Sequence, residues 1–405
     1  MRLRILGASL TVVFEGRVSP AQRALLRRAW SRCLEDGEGT ASAERGDGDC
    51  TGGDSPGGDG IGGDGIGGAV PFRARILTGS GVVPVAGGTF ARFAAELTSA
   101  LTFAAIERRS GELLMLHASG LADPGTGRTV ALVGPSGVGK TTATRALANE
   151  LGYVSDETVG VEPSGAVVPY AKPLSLIVEE PPAPKRQLGP DELGLRRAPS
   201  EGRLGAVVLL ERRASRPGGR AEVRRLGHAE AIVGLAPHTS SIGKLRAPLQ
   251  QLCRMLDACG GAVRAVYSEA DELAGLIPGL LARAAVAGGW EPAVVPDRRA
   301  DDGALAPVDQ PPAILPRGYL RRGDVVDAVE IAIPDGGSDL LVMVGQQVVR
   351  LGGIAPAIWR ALRAPARIEA LAERIAPEVG LPPGYAGALS HAVEELSNYG
   401  VLLRS

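Results

Sequence analysis

The sequence predicts an α/β domain followed by a smaller α+β domain. Three observations support this prediction. Segments typical of buried strands alternate with segments typical of helices between about residues 69 and 283, the order expected of a central sheet covered by helices. Six prolines then interrupt the pattern between residues 290 and 318. Beyond them lies a second pattern of strands and helices over about 80 residues, a length at which a domain can fold alone.

The N-terminal segment is expected to form a strand and then a helix. The strand is predicted over 2–14, and the helix runs from Pro20 to about residue 34, with Ser19 as its cap. The apolar start also resembles a short signal peptide, but Glu15 and Arg17 stand where small residues would form a cleavage site. We therefore interpret this stretch as a strand.

Glycine and proline are unusually frequent, with 57 and 30 residues in a chain of 405. Together they make up roughly a fifth of the chain, against about 12% in an average protein. Many of the glycines fall in the tract 46–68, which has almost no side chains able to build a core. We predict that this tract is a flexible insertion.

The hydrophobic patterns place the remaining elements and divide the chain. In the α/β domain we predict strands at 113–117, 129–133 and 206–210, and helices at 90–108, 140–151, 245–258 and 269–285. Near the C-terminus we predict strands at 325–333, 340–344 and 347–351, and helices at 355–362, 367–379 and 384–399. The predicted parts are an N-terminal segment (1–68) that contains the insertion, an α/β domain (69–289), a proline-rich linker (290–320) and a small C-terminal domain (321–405).

Charge and cysteine content exclude several classes of partner. The chain carries 44 basic and 45 acidic residues, a balance that favours neither nucleic acid nor an anionic membrane surface as a partner. No run approaches the roughly 18 apolar residues that a membrane-spanning helix needs. The 4 cysteines lack the spacing of a metal site. We therefore expect a reduced, cytoplasmic protein.

The strongest motif lies directly after the predicted strand 129–133. It matches G-x-x-x-x-G-K-[ST] and opens a predicted helix, a context typical of a phosphate-binding loop. The glycines let backbone N–H groups turn toward a phosphate, the lysine neutralises the β- and γ-phosphates, and the hydroxyl of the last residue holds Mg²⁺. The predicted nucleotide-binding residues are Gly134, Pro135, Ser136, Gly137, Val138, Gly139, Lys140, Thr141 and Thr142.

Two adjacent carboxylates follow the phosphate-binding loop. Asp156 and Glu157 come after a short apolar stretch, 15 residues beyond Thr141, at the expected end of a strand. One such carboxylate can accept a proton from an attacking hydroxyl, while the other holds Mg²⁺. A surface acidic pair in a loop is the alternative interpretation. His117 ends an upstream strand, where a lone histidine is more often structural.

Arg212 and Arg213 follow the predicted strand 206–210. Arginines at such a position can meet the charge that develops on a transferring phosphoryl group. A solvated turn remains the alternative interpretation, because surface arginines are common.

Four motifs resemble those of the HPr kinase/phosphorylase-related kinases, which are distant structural relatives of phosphoenolpyruvate carboxykinase. In order they are LHASG (116–120), GPSGVGKTT (134–142), VSDET (154–158) and PYAKPLSL (169–176). The resemblance covers about residues 75–285. It implies an ATP- and Mg²⁺-dependent kinase with His117 near the acceptor hydroxyl. It also implies that Asp156 is the general base and that Glu157 joins Thr141 in holding magnesium.

The chain departs from this family pattern at two places. The second acid is a glutamate where the family has an aspartate, and the later loop that handles the HPr protein has no counterpart. We therefore do not expect HPr itself to be the substrate.

The C-terminal part, about residues 322–405, resembles PqqD-like domains, which are small α+β domains related to winged helices. The resemblance rests on GDVVD (323–327), on the run from residue 340 that contains Trp359, and on HAVEELSNYGVL (391–402). It implies that a leader peptide adds a strand beside the residues Gln347, Val348, Val349, Arg350 and Leu351. A winged helix that binds DNA is disfavoured, because the last predicted helix lacks a basic face.

Together the two resemblances imply a kinase that phosphorylates a serine or threonine hydroxyl of a precursor peptide in a ribosomal peptide pathway. The leader would be held by the C-terminal domain, and other peptide-modifying enzymes or a second copy of the chain are further possible partners. Two alternatives stay open. One is an ATP-binding chaperone or scaffold that presents the leader to partner enzymes, and the other is a kinase for a small molecule.

Overall fold

The computed structural model describes residues 1–35, 71–176, 185–213, 220–293, 317–333 and 336–405. The predicted insertion 46–68 and most of the predicted linker 290–320 lie outside these ranges. The chain forms two compact units, Met1–Arg108 with Ala171–Gly194, and Arg109–Tyr170 with Leu195–Ser405. The fold is mixed α/β, as predicted, and none of the described helices is long and apolar enough to cross a bilayer.

The described residues contain the following secondary structure. The strands are β1 (Arg2–Ile5), β2 (Ala8–Gly16), β3 (Phe72–Leu77), β4 (Val82–Gly87), β5 (Leu114–Leu116), β6 (Ala118–Ala122), β7 (Arg128–Val133), β8 (Gly152–Ser155), β9 (Val159–Val161), β10 (Val167–Val168), β11 (Leu174–Leu176), β12 (Arg186–Leu188), β13 (Arg203–Arg212), β14 (Glu222–Arg225), β15 (Thr239–Ser240), β16 (Ala262–Tyr267), β17 (Trp290–Pro292), β18 (Tyr319–Arg322), β19 (Val325–Ala332), β20 (Ser338–Val344), β21 (Gln347–Leu351), β22 (Ala366–Arg367) and β23 (Leu402–Arg404). The helices are α1 (Pro20–Ala29), α2 (Phe90–Arg108), α3 (Lys140–Leu147), α4 (His228–Leu235), α5 (Pro248–Ala258), α6 (Ile277–Leu281), α7 (Ala355–Ala361), α8 (Ile368–Val379) and α9 (Tyr385–Asn398).

The first unit is built on an antiparallel sheet in the order β1-β2-β3-β4, against which α2 packs. The strand predicted over 2–14 is divided into β1 and β2, because the chain turns at Leu6 and Gly7, which both have positive φ angles (50° and 78°). Helix α1 begins as predicted, with Ser19 and Gln22 forming a reciprocal capping box. It ends at Ala29, earlier than residue 34.

The second unit contains a sheet of strand order β14-β16-β13-β7-β6-β8. Strands β7, β13 and β16 are parallel neighbours, and the other pairs are antiparallel. Helices α4 and α5 pack against this sheet on β16 and β13, and α6 packs on β7 and β13. The predicted helix 269–285 is divided into a 3₁₀ segment (Ala270–Leu276) and α6. Pro278 lies at the start of α6 and has no backbone N–H to donate to the turn before it.

A small antiparallel sheet in the order β10-β9-β5-β15 lies in the same unit. Leu116 at the end of β5 pairs with Val159 on one side and with Thr239 on the other. Because these strands are antiparallel, the residue after Leu116 and the residues before Val159 and Thr239 lie together at one end of the small sheet. His117 is one of them.

The C-terminal strands and helices form as predicted, and β21 has the predicted bounds Gln347–Leu351. They make an antiparallel sheet, β17-β19-β20-β21, and a smaller one, β22-β18-β23, with α7, α8 and α9. Successive residues of β19 face opposite sides: Ala328 packs with Trp359 and α8, whereas Val329 and Ile331 pack with α5. One face of this sheet therefore shares its core with the central sheet of the unit and with α4 and α5.

Candidate functional site

The predicted phosphate-binding loop joins β7 to α3, at the carboxyl end of a parallel strand. Gly137 and Gly139 have φ angles of 85° and 105°, which favour glycine. A Cβ on Gly139 would also lie 3.0 Å from the Tyr267 hydroxyl. The predicted nucleotide-binding residues 134–142 thus form a tight loop followed by the first turn of a helix, the arrangement that turns backbone N–H groups toward a phosphate.

Lys140 is the charged residue at the centre of this loop. It is only 8% exposed, and its ammonium group donates hydrogen bonds to the carbonyl oxygens of Gly134 (2.6 Å) and Pro135 (3.1 Å). Burial lowers the pKa of Lys140, while the carboxylates of Asp156 and Glu157 act in the opposite direction. The acidic pair is therefore close enough to interact electrostatically with the lysine of the loop.

Asp156 lies immediately after β8 and is 7% exposed. Its Oδ2 lies 3.4 Å from the Thr141 hydroxyl, and its Oδ1 lies 3.4 Å from the Tyr153 hydroxyl. Burial of this carboxylate against the helix that follows the loop argues against the alternative of a surface acidic pair.

Buried hydroxyl groups tie together the three elements that carry these residues. Ser119 on β6 is hydrogen-bonded to the Thr144 hydroxyl on α3 and lies 3.4 Å from the Ser155 carbonyl oxygen at the end of β8. The Thr144 hydroxyl also donates to the Lys140 carbonyl oxygen at 3.0 Å. This network holds the start of α3 at a fixed position relative to the acidic pair.

His117 and Glu157 lie beside this centre. Both are half-buried, and the residue after His117, Ala118, donates its N–H to the Glu157 carbonyl oxygen at 3.1 Å. The N–H of His117 itself donates to the His238 carbonyl oxygen at 2.7 Å. Direct contacts thus join Thr141 and Asp156, while backbone hydrogen bonds bring His117 and Glu157 to the same end of the small sheet.

Two further residues at the loop come from β13 and β16, the strands parallel to β7 in the same sheet. The Tyr267 hydroxyl donates to the Val138 carbonyl oxygen at 2.6 Å, and burial raises the pKa of Tyr267. Arg212 donates from Nε to the Ser268 carbonyl oxygen at 3.0 Å, and its guanidinium lies 3.9 Å from where a Gly139 Cβ would be. Arg213 instead pairs with Glu211 at the surface, as expected of a solvated turn.

Sequence reasoning did not identify Tyr267 as a site residue and left Arg212 ambiguous. Their positions at the ends of strands could have identified them, because ligands of α/β sheets bind at the carboxyl ends of parallel strands. Both residues stand at such ends: Arg212 on β13, next to the strand that carries the loop, and Tyr267 on β16, one strand further.

The oxygen atoms near the loop fit a magnesium ion. The Thr141 hydroxyl and the Asp156 carboxylate are hard oxygen ligands, and Glu157 is the next residue along the chain. In the described part of the chain, no group of three or more His, Cys, Asp or Glu residues is placed to hold a metal ion. This donor set suits Mg²⁺, which takes one or two carboxylates and completes its shell with water and substrate phosphates.

A groove lies between β21 and α9 in the C-terminal part. It has a volume of about 540 Å³ and is lined by the predicted peptide-binding residues 347–351, by residues 352–355, and by Ala392, Glu395, Leu396 and Tyr399 of α9 and its end. Strand β21 is the edge of its sheet in the described structure. Val344 pairs with Gln347 across a two-residue turn, so the N–H groups of Val348 and Arg350 point away from β20 toward the open edge.

Comparisons with known proteins do not show a family. No family model matches the chain, and no curated protein sequence matches it. Among solved structures, the chain is similar to the Hpr(Ser) kinase/phosphatase from Coxiella burnetii, with 16% identity and a TM-score of 0.21, over 41% of this chain and 93% of that chain. Function is therefore inferred from the residues of the site.

Proposed function

We propose that the protein is an ATP-dependent kinase that phosphorylates a hydroxyl group of a peptide held in the groove between β21 and α9. The observation that carries this proposal is the buried Asp156 carboxylate, 3.4 Å from the Thr141 hydroxyl of a complete phosphate-binding loop. A loop alone indicates only nucleotide binding. A carboxylate placed at its end adds a group that can receive the proton of an attacking hydroxyl.

The proposed reaction is a direct transfer of the γ-phosphoryl group. The acceptor oxygen attacks the γ-phosphorus, and the bond from that phosphorus to the oxygen bridging the β- and γ-phosphates breaks. ADP leaves with the electron pair of that bond, and the acceptor proton passes to Asp156. Lys140 leaves the carbonyl groups of its own loop and donates to the phosphate oxygens, where its charge is better compensated.

Magnesium would be held by the Thr141 hydroxyl together with Glu157, the role that the family resemblance implies. When bound, it neutralises charge on the β- and γ-phosphates. Because Asp156 lies at the Thr141 hydroxyl, it is a second candidate for the metal ligand. The two carboxylates can be distinguished by their separate effects on magnesium dependence.

The groove supports a peptide as the acceptor. An extended peptide can hydrogen-bond to the free N–H and C=O groups of an edge strand, while its side chains enter adjacent pockets. Val348 and Arg350 offer such groups, and Tyr399 and Leu396 supply apolar surface on the opposite wall. Backbone pairing would let the groove take a leader segment without requiring a particular charge on the peptide.

Thiophosphate transfer to a peptide library tests the proposal. The full-length protein is incubated with Mg²⁺, ATPγS and an mRNA-displayed library of random peptides rich in serine and threonine. Thiophosphorylated peptides are captured through the sulfur atom and sequenced. We expect enrichment of peptides that share a segment outside the phosphorylated residue, and we expect no enrichment with Lys140→Ala.

Three other outcomes would contradict the proposal. Release of ADP without any labelled peptide would favour the chaperone or scaffold alternative. Enrichment that depends only on the residues next to the phosphorylated hydroxyl would remove the role of the groove and favour a small acceptor. Equal labelling by the wild type and by Lys140→Ala would place the transfer in a contaminating kinase.

A further inference from the structure

His238 is a half-buried histidine beside the nucleotide site that sequence reasoning did not single out. It ends the 3₁₀ turn Ala236–His238 that connects α4 to β15. Because Thr239 of β15 pairs with Leu116 of β5, His238 lies next to His117, and its carbonyl oxygen accepts the His117 N–H at 2.7 Å. It therefore stands at the same end of the small sheet as the acidic pair.

The imidazole of His238 lies within electrostatic range of Lys140 in the predicted phosphate-binding loop. Burial lowers the pKa of His238, and the Lys140 ammonium lowers it further. No group among the described residues makes a hydrogen bond to this imidazole, although it is half-buried. A neutral imidazole carries one N–H donor and one nitrogen acceptor, so both are available to a ligand.

The same turn touches the peptide groove from its other side. The 3₁₀ turn Ala236–His238 and α4 both contact β21, the strand that lines the groove. Nearby, Gly243 packs against the turn between β20 and β21, where a Cβ would lie 2.6 Å from the Gly345 carbonyl oxygen. His238 thus stands between the strand that would hold a leader and the lysine that would hold the phosphates.

We propose that His238 is an acceptor-positioning residue, whose imidazole hydrogen-bonds the incoming hydroxyl group next to the γ-phosphate. This inference rests on the proposed kinase function and deepens it, because it names the side of the nucleotide from which the acceptor arrives. Asp156 remains the group that receives the proton. His238 holds the acceptor oxygen in line with the γ-phosphorus, and misplacement of a reacting atom by even about 1 Å lowers rates strongly.

Chemical footprinting locates His238 without requiring a known peptide. Diethyl pyrocarbonate modifies neutral imidazoles, and the chain contains 4 histidines that mass spectrometry can follow separately. The full-length protein is treated alone, with Mg²⁺ and ADP, and with Mg²⁺ and a non-hydrolysable ATP analogue. We expect the triphosphate to slow modification of His238 well beyond the effect of ADP. The exposed His391 on α9 is the internal control, and its rate should not change.

The possible results separate this inference from the function on which it rests. Equal modification of His238 in all three states, or equal protection by ADP and the triphosphate, would overturn the placement beside the γ-phosphate. Failure of the protein to bind either nucleotide in calorimetry would overturn the proposed function, and this inference with it.

Variants of His238 then test the positioning role on a peptide enriched from the library. We expect His238→Ala to lower kcat/KM for the peptide roughly 10- to 100-fold, with unchanged affinity for the ATP analogue. His238→Asn, which keeps a donor and an acceptor, should recover part of the activity, and His391→Ala should behave as the wild type. An equal loss of nucleotide affinity, or no loss of kcat/KM, would overturn the proposal.

Discussion

The proposed nucleotide site and the proposed peptide groove lie in the same unit, but one is built from buried charged side chains and the other from backbone groups. The nucleotide site depends on buried charged side chains, of which Lys140 is 8% and Asp156 is 7% exposed. The groove depends on the backbone of an edge strand, with the N–H groups of Val348 and Arg350 directed outward. A buried charge can be replaced by almost no other residue, whereas a backbone group survives most substitutions. Single changes should therefore affect the two regions very differently.

Lys140→Ala should have the largest effect, and only on the nucleotide site. The variant removes the ammonium group that would meet the β- and γ-phosphates, so we expect phosphoryl transfer to fall about 100- to 1000-fold. Transfer is measured with the enriched peptide, and nucleotide binding is measured by calorimetry. Lys185→Ala changes an exposed lysine and is the matched control.

Peptide binding to Lys140→Ala tests whether the two regions are independent. Because the groove uses backbone groups of another element, its affinity for the peptide should match that of the wild type. Loss of peptide binding in Lys140→Ala would show that the two regions are one site.

Asp156→Asn and Glu157→Gln should each lower activity through a different step. Asp156→Asn keeps the shape of the side chain but removes the proton acceptor, so we expect kcat to fall about 100-fold at saturating Mg²⁺. Glu157→Gln should instead raise the Mg²⁺ concentration needed for half-maximal activity, with kcat largely restored by excess metal. The measurement is a magnesium titration of the initial rate for each variant. The reversed pattern would assign the metal to Asp156, at the Thr141 hydroxyl, and the base to Glu157.

The two regions also differ in how far the sequence alone predicts them. The tight shape of the loop 134–142 was predictable because its glycines and lysine, placed directly before a helix, form a specific pattern. The bounds of β21 were predictable because Gln347–Leu351 follows a short turn that begins at Gly345, and the strand pairs back on the preceding one. His238 and Tyr267 were not identified, because strand pairing and parallel register bring them to the loop from more than 90 residues away. The turn at Leu6 was not predicted, because a left-handed leucine is uncommon in any sequence pattern.

Asp327 tests whether the two regions unfold as one body. This carboxylate on β19 is 3% exposed and accepts three N–H groups: those of the Gln250 backbone (3.1 Å), the Gln250 side chain (3.0 Å) and Ala328 (2.9 Å). Burial raises the pKa of Asp327, while these donors act in the opposite direction. The contact links the C-terminal sheet to α5, within the core that both regions share.

Asp327→Asn should destabilise the whole second unit. An amide nitrogen would face an N–H donor where an oxygen now accepts one, so at least one hydrogen bond is lost and the free energy of unfolding falls by about 1.5–3 kcal/mol. Urea unfolding, followed by circular dichroism with and without nucleotide, measures the change. Asp324→Asn, at an exposed side chain that pairs with Arg321, is the control and should be neutral. Separate transitions for the groove and the nucleotide site, with only one of them shifted, would contradict a shared core.

Val348→Pro should have the smallest effect. It acts on the groove, although the Val348 side chain also packs against the core of the unit. Proline removes one outward N–H group without disturbing the bonds between β20 and β21, which use the residues on either side. The loss of one hydrogen bond should weaken peptide binding about tenfold, measured by fluorescence anisotropy with the enriched peptide. Val348→Ala shortens the same side chain but keeps the N–H, so it isolates the backbone contribution. If Val348→Ala weakens binding as much as Val348→Pro, side-chain contacts rather than strand addition hold the peptide, and the groove would resemble the nucleotide site more closely than we infer.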